Sequence, residues 1–355
     1  MLTRKQFLDR LALIFVGGTA LGLETVSRAA KAAATEREAA SGAATDAVPM
    51  PPPLRAGDTI GITSPSGFFA PEELLPAVKI LQDWGFKVKI GNAIGKRDGT
   101  FGGTDAERLS DFQSMLDDDT VKAVLCARGG YGFVRIVDQL SLDKLRSHPK
   151  WLIGFSDITT IHSHIHAKLG MPTLHSKMCG GFPADTTKAS AAAMDSMLSI
   201  KQALTGQAIE YAIPWGEKNR DGSGTGVVVG GNLRTLETLS GTVSEMNTDG
   251  KILFVEDVGE YMYSVDRMFW NLKRTGKLSK LAGLVIGGFD IKPDDGNDLP
   301  FEMDVQSIVL EKVREYRYPV CFDFPVGHQE FNMAIKCGVA HQLTVSAGKP
   351  TLKQI

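Results

Sequence analysis

Ser156 sits where an apolar stretch at residues 151–155 runs directly into a helical pattern beginning at residue 157. A hydroxyl at such a strand-to-helix junction projects above the edge of a sheet. It also lies beside the unbonded amide N–H groups of the helix start, which can hold an oxyanion. Gly154 gives the tight turn room. The segment departs from the G-x-S-x-G elbow because Ile158 takes the place of the second glycine, and a serine at this place also serves as a helix N-cap. The sequence RGGYG at residues 128–132 follows another apolar run. Adjacent glycines let the backbone approach a ligand and present N–H groups, so this loop is a candidate second oxyanion donor beside the amide of Asp157. It also reads as a plain tight turn. No Lys-Ser/Thr pair follows it, which excludes a P-loop.

A serine hydroxyl needs a base. Of seven histidines, His162 and His166 are spaced i, i+4 on one helical face without the glutamate of H-E-x-x-H, and read as packing or surface residues. His328 ends FDFPVGH, a loop after a short strand, where a base or a plain surface histidine would both fit. Glu256 closes the apolar run at residues 252–255, a good place from which a carboxylate can fix an imidazole tautomer. An ion pair with Arg267 is the alternative, and Asp257 and Glu260 compete for the orienting role.

These residues need a scaffold that brings loop ends together. Strand-like runs at residues 58–63, 87–90, 121–127 and 151–155 alternate with helical patterns at 71–84, 105–116, 133–140 and 157–169. This alternation predicts an α/β fold with a doubly wound parallel sheet, whose active site lies outside the carboxyl ends of its strands. After about residue 205 the pattern changes. A glycine-rich stretch at 222–226 marks a joint, and apolar runs near 227–229, 252–255, 283–286 and 342–345 follow, interrupted by one clear helix carrying Val265, Met268, Phe269 and Leu272. The expected organisation is a nucleophile domain at 54–205, a linker at 206–226 and a β-rich α/β domain at 227–355, with the site in the cleft between them.

The 355 residues are 43% hydrophobic and 23% charged, the balance of a globular protein of one large or two ordinary domains. A net charge of −2 gives no global pull toward nucleic acid or anionic membranes. Four cysteines show no CxxC pair or zinc-ligand spacing and read as buried unpaired thiols. The N-terminus carries Arg4, Lys5 and Arg10, an apolar run at 11–23, and a small-x-small pattern at 30–32. Together these predict an export signal over 1–32, with a twin-arginine-like motif in which Lys5 takes the second basic slot. Residues 33–53, ending in three prolines, predict a flexible linker. No stable membrane anchor is expected, and the protein is placed in the periplasm.

RGGYG, PKWLIGFSDIT, GGNLRTLETLSGT, ILFVEDVGE followed by DRMFWNLK, and FPVGH, in this order over residues 57–345, resemble the LD-carboxypeptidases, peptidase family S66, which also holds the microcin C immunity peptidases. The resemblance implies a serine peptidase with Ser156 as nucleophile, Glu256 as the triad carboxylate and His328 as base. It further implies an oxyanion contact from Gly130 beside the amide of Asp157, and a homodimer, with neither metal nor cofactor. The implied substrate is a murein tetrapeptide, cut between an L-centre and the terminal D-alanine. Arg128 is the candidate cation for the substrate carboxylate, and Asn232 a candidate hydrogen-bonding group or a turn residue. Two other readings stand beside this one: a microcin-type peptidase acting on acyl-adenylate conjugates, and a catalytically silent periplasmic wall-peptide-binding protein.

Overall fold

The computed structural model describes residues 48–211, 213–293, 301–346 and 348–355. The export signal at 1–32 and most of the 33–53 linker lie outside the described residues. Two six-stranded sheets organise the chain. In the first, β1 (Thr59–Thr63), β2 (Lys87–Ile90), β3 (Val121–Cys126), β4 (Trp151–Gly154) and β5 (Thr173–His175) are parallel, and β10 (Ile335–Cys337) adds an antiparallel edge, giving the order β10-β5-β4-β3-β1-β2. The chain reverses direction of growth between β1 and β3, and the loops after these strands meet there, with the Gly67 amide donating to the Gly129 carbonyl at 3.0 Å. The second sheet runs β12-β11-β6-β7-β8-β9. Its strands β6 (Gly222–Asn232), β7 (Ile252–Glu260), β8 (Gly283–Ile291) and β9 (Val320–Cys321) are parallel, and β11 (Ala340–Val345) and β12 (Thr351–Gln354) antiparallel.

Apolar alternation explains why the elements pack as they do. Near-continuous runs such as 121–126, buried on both faces apart from Lys122, become central parallel strands. One apolar core links the two sheets, joining Ile60 and Leu125 of the first to Phe254, Val285 and Leu343 of the second. Two further cores cover the outer faces. One lies under α2 (Asp105–Asp117) and α4 (Thr159–Leu169); the other lies under α7 (Met262–Arg274), whose stripe Val265, Met268, Phe269 and Leu272 is buried as its spacing requires. The helix at 71–84 forms as a 3₁₀ turn followed by α1 (Leu75–Asp83).

Four expectations change. Residues 133–140 form two 3₁₀ turns, not a helix, because the Phe133 amide donates to the Asp157 carboxylate at 2.8 Å and Ile136 leaves helical backbone geometry. Residues 222–226 are the first half of β6, paired with β11, not a joint; here Gly224 packs so tightly on the Ala282 carbonyl that a β-carbon would have no room. The second half carries two more helices than expected, α6 (Leu233–Thr238) and α8 (Val305–Lys312). Finally, the proline end of the linker is docked: Pro51 is buried, the Pro52 carbonyl accepts from Trp151 Nε1 at 3.2 Å, and the Leu54 amide donates to the Leu204 carbonyl at 2.7 Å. All four cysteines are buried and unpaired. Among the described residues no helix is long and apolar enough to cross a membrane.

Two contacts lock the strand ends. Gly231, at φ +140°, lies against Thr159, where an added β-carbon would fall 2.5 Å from Oγ1, and the Asn232 amide donates to that hydroxyl at 3.0 Å. Below this junction His162 Nε2 donates to the Gly154 carbonyl at 2.9 Å, and His175 is fully buried between Phe155 and Phe254, with ring centroids 5.8 and 5.0 Å away. Burial holds His162 and His166 down at about 4 and His175 well below the ordinary imidazole value of 6.5.

Two predictions follow from these contacts. Gly231→Ala should lower the unfolding free energy by about 1–3 kcal/mol through overpacking and a strained backbone, as read by denaturant titration; an unchanged midpoint would remove the contact from the account. The histidines set an acid limit. The unfolded chain takes up protons near 6.5, whereas the fold refuses them until about 4. Their stabilisation is therefore complete above pH 6.5 and is lost as pH falls toward 4. Unfolding curves across this window should show that loss, and His175→Phe should make it shallower.

Candidate active site

Ser156 occupies a left-handed backbone conformation, φ +64°, one of two non-glycine residues with positive φ among those described. Such geometry costs on the order of 1–3 kcal/mol and persists only where the surroundings impose it. Here β4 ends at Gly154, the chain turns sharply, and α4 begins three residues after the serine. The serine makes no capping hydrogen bond to the helix, so the capping alternative falls away and its hydroxyl is left to the cavity. Gly129 approaches this side chain closely: a β-carbon there would lie 2.8 Å from Ser156 Cβ, 3.0 Å from Oγ and 3.4 Å from the Asp157 amide nitrogen. The RGGYG loop and the start of α4 thus frame the hydroxyl, with Gly130 and Asp157 both lining the adjoining cavity. The Asp157 carboxyl points elsewhere, toward the Phe133 amide. Burial raises its pKa, and the hydrogen bond from that amide opposes the rise.

The second sheet brings its own groups to the same edge. In the parallel register of β6 and β7, Asn232 pairs with Glu256. Glu256 is wholly buried and its Oε2 lies 2.7 Å from His328 Nδ1. His328 is partly exposed and its ring rests on Phe155, the residue before the serine, with centroids 4.7 Å apart. The imidazole thus meets the segment that carries Ser156 through Phe155. Ser156 and His328 are neighbours through this ring and not hydrogen-bonded to each other; such bonds often tighten only once substrate is bound. With Nδ1 committed to the carboxylate, the tautomer leaves Nε2 as the acceptor. Glu256 makes no pair with Arg267, whose guanidinium lies over the Tyr263 ring at 5.3 Å. Its competitors are occupied: Asp257 accepts from Asn232 Nδ2 at 3.0 Å and the Arg234 amide at 2.9 Å, and Glu260 accepts from Ser264 Oγ at 2.6 Å. Burial pushes the Asp257 carboxyl up to about 6.

The cavity beside Ser156 holds about 330 Å³ and is lined from both sheets. Asn232 is on its wall, but its side chain caps α6, accepting from the Thr235 amide at 3.0 Å and hydroxyl at 2.9 Å, so the turn role is met. Arg128 donates to the Phe68 carbonyl at 3.2 Å and does not line this cavity. The cation on the wall is Arg234, missed in the sequence although it follows GGNL at the start of a helix. The i, i+4 histidines are indeed packing groups: His162 holds Gly154, and His166 Nε2 meets Lys251 Nζ at 2.7 Å.

Comparison with known proteins agrees with this architecture. The LD-carboxypeptidase N-terminal domain matches residues 60–176 and the LD-carboxypeptidase C-terminal domain residues 225–343. The chain is 35% identical over 298 residues to the probable murein peptide carboxypeptidase of Bacillus subtilis, covering 81% of this chain and 89% of that protein. It is 28% identical over 320 residues to the microcin C7 self-immunity protein of Escherichia coli, covering 81% and 90%. The crystal structure of a muramoyltetrapeptide carboxypeptidase from Oxalobacter formigenes superposes with a TM-score of 0.72 at 28% identity, over 83% of this chain and 98% of that one. With both domain patterns in order and the two-sheet fold shared, the chain belongs to the LD-carboxypeptidase family, peptidase family S66.

Proposed function

We propose that this protein is a serine carboxypeptidase that removes the terminal D-alanine from murein tetrapeptides by cutting the bond after an L-centre. The observation that carries the reading is the pairing of Glu256 with His328 at 2.7 Å, held against the strand that presents a strained Ser156. In this reaction His328 Nε2 takes the Ser156 proton as Oγ attacks the peptide carbonyl. Glu256 keeps the imidazole in the acceptor tautomer and stabilises it once charged. The amides of Asp157 and Gly130 hold the tetrahedral oxyanion. His328 then protonates the leaving D-alanine amine, and a water deprotonated by the same imidazole releases the acyl group from Ser156.

The substrate class rests on the relatives named as murein and muramoyltetrapeptide carboxypeptidases. Export to the periplasm and self-association as a homodimer belong to the same reading. The first rests on the pattern of residues 1–32 and the second on the family resemblance. An exported enzyme would trim wall peptides, and export argues against a microcin-type role, since such conjugates act inside the cell.

Mass spectrometry of defined muropeptides incubated with the protein should show loss of one alanine from the tetrapeptide and none from the pentapeptide. Ser156→Ala should reduce turnover by about 10³-fold or more. Full turnover by that variant would sink the nucleophile assignment. Binding of tetrapeptide without cleavage by the wild type would make the protein a wall-peptide receptor instead.

A further inference from the structure

Glu256 holds His328 with Oε2, and its other oxygen, Oε1, is buried with no hydrogen-bond partner among the described residues. An enclosed carboxylate oxygen opposes stability unless a donor reaches it. The loop that carries His328 brings one close. Gly327, at φ +110°, lies directly on Glu256: a β-carbon there would fall 2.7 Å from Cβ and 2.9 Å from Oε2. The Gly327 amide donates to Asn332 Oδ1 at 3.1 Å, so the Asn332 side chain is one hydrogen bond away from the residue packed on the carboxylate. Asn332 is itself fully buried, and Nδ2, its donor end, has no partner among the described residues. Its backbone is fixed by α5 (Ala191–Leu204), where Ser196 Oγ accepts from the Asn332 amide at 2.9 Å and Ser199 Oγ from the Ala334 amide at 2.8 Å. His175 enters the same layer, packed on Phe155 and Phe254, and neither of its ring nitrogens is bonded to a described residue.

Glu256 Oε1 and Asn332 Nδ2 are complementary, an acceptor and a donor, and they are not bonded directly. A buried water makes about three hydrogen bonds to polar groups of this kind, and Glu256, Asn332 and His175 offer three. Resting on the triad reading above, we propose that Asn332 is a positioning residue for the reaction: its Nδ2 supports Glu256 Oε1 through one enclosed water, while its Oδ1 holds the loop that presents His328. The water accepts from Asn332, donates to Glu256 and makes its remaining bond with the His175 ring. The carboxylate is then held at both ends, Oε2 by the imidazole and Oε1 by the water. An anion supported on its far oxygen stays ionised and keeps its direction, so the imidazole keeps the tautomer in which Nε2 accepts. Asn332 touches no reacting atom. It acts by joining the two members of the pair, which come from separate segments of the chain.

Two substitutions separate the two ends of the amide. Asn332→Asp keeps an acceptor for the Gly327 amide and removes the donor, whereas Asn332→Leu removes both. On a murein tetrapeptide, Asn332→Asp should lower kcat about tenfold or more with KM little changed, the effect of one hydrogen bond to a charged group. Asn332→Leu should lose at least as much. In a Glu256→Gln background, neither should reduce the residual turnover much further, because no anion is left for the water to support. A crystal structure of the unaltered protein gives a readout that needs no variant: a water within hydrogen-bond distance of both Glu256 Oε1 and Asn332 Nδ2. Wild-type kcat in Asn332→Asp overturns the inference, and so does a loss of the same factor with and without Glu256, which would leave the amide a loop clamp only. A separation of the two atoms beyond about 6 Å, twice a hydrogen-bond length, overturns it as well. Each of these leaves the carboxypeptidase reading intact. Full turnover by Glu256→Gln, or no cleavage by the wild type, overturns the triad reading and this inference with it.

Discussion

The hydrogen bond from the Asn232 amide to the Thr159 hydroxyl, 3.0 Å long, ties the carboxyl end of β6 to the first turn of α4, and the rest of the site depends on it. Ser156 lies three residues before Thr159. Asn232 stands in register with Glu256 on the neighbouring strand. A nucleophile carried by one sheet and an imidazole–carboxylate pair carried by another can work together only if the two strand ends have one fixed separation. Gly231 sets that separation by having no side chain where Thr159 presses in. The apolar core shared by the two sheets supplies the area, but a core of aliphatic side chains tolerates repacking. A bond between a backbone amide and a buried hydroxyl defines direction as well as distance.

That precision is obtained by burying polar groups, which opposes stability unless each is satisfied. Asp257 meets the condition with three donors, the Asn232 side chain and the amides of Arg234 and Val258. Glu256 is fully buried with one strong partner, His328, so its burial is compensated largely by the interaction that gives the imidazole its tautomer. The histidines beneath are kept neutral by burial and act as spacers between Phe155, Phe254 and the Gly154 carbonyl. The layer under the site is therefore more polar than an ordinary core and more sensitive to acid.

What could be read from the sequence follows from how local each signal is. The strand running into Ser156 and the stripe of α7 are encoded within a few residues and appear as expected, whereas Glu256, expected to close its strand, lies inside β7, which runs on to Glu260. His328 could not be singled out on its own residues, since a loop histidine after FPVG carries no periodicity; only its resemblance to a family block marked it. Residues 222–226 misled because glycine is poor strand material in isolation, whereas here close backbone neighbours demand it. Strand β10 is three residues long and returns to the first sheet from nearly 160 residues downstream of β5, a long-range pairing no local pattern reports. The helix α6 is too short for a periodic signal. Arg234 carries no local signal, because the carboxylate beside it, Glu260, closes β7 some 26 residues further along the chain.

The electrostatics of the cavity leave one difficulty for acyl transfer, and the geometry answers it. In the proposed reaction an oxyanion at Ser156 would form near Asp157, Asp257 and Glu260, all acids, and in a partly desolvated site like charges repel strongly. Two of these acids are turned away or tied up: Asp157 directs its carboxyl to the Phe133 amide, and Asp257 spends its oxygens on amides and Asn232. Glu260 faces Arg234. Asp157 is the instructive case. The sharp turn at the serine presents its backbone N–H on the side of the Ser156 hydroxyl while its side chain points to the neighbouring loop. One residue thereby turns the positive end of its peptide dipole toward the Ser156 side and withdraws its negative group. The left-handed backbone of Ser156 makes that orientation possible, and under the proposed reaction the strain at this position would have a chemical purpose as well as a structural one.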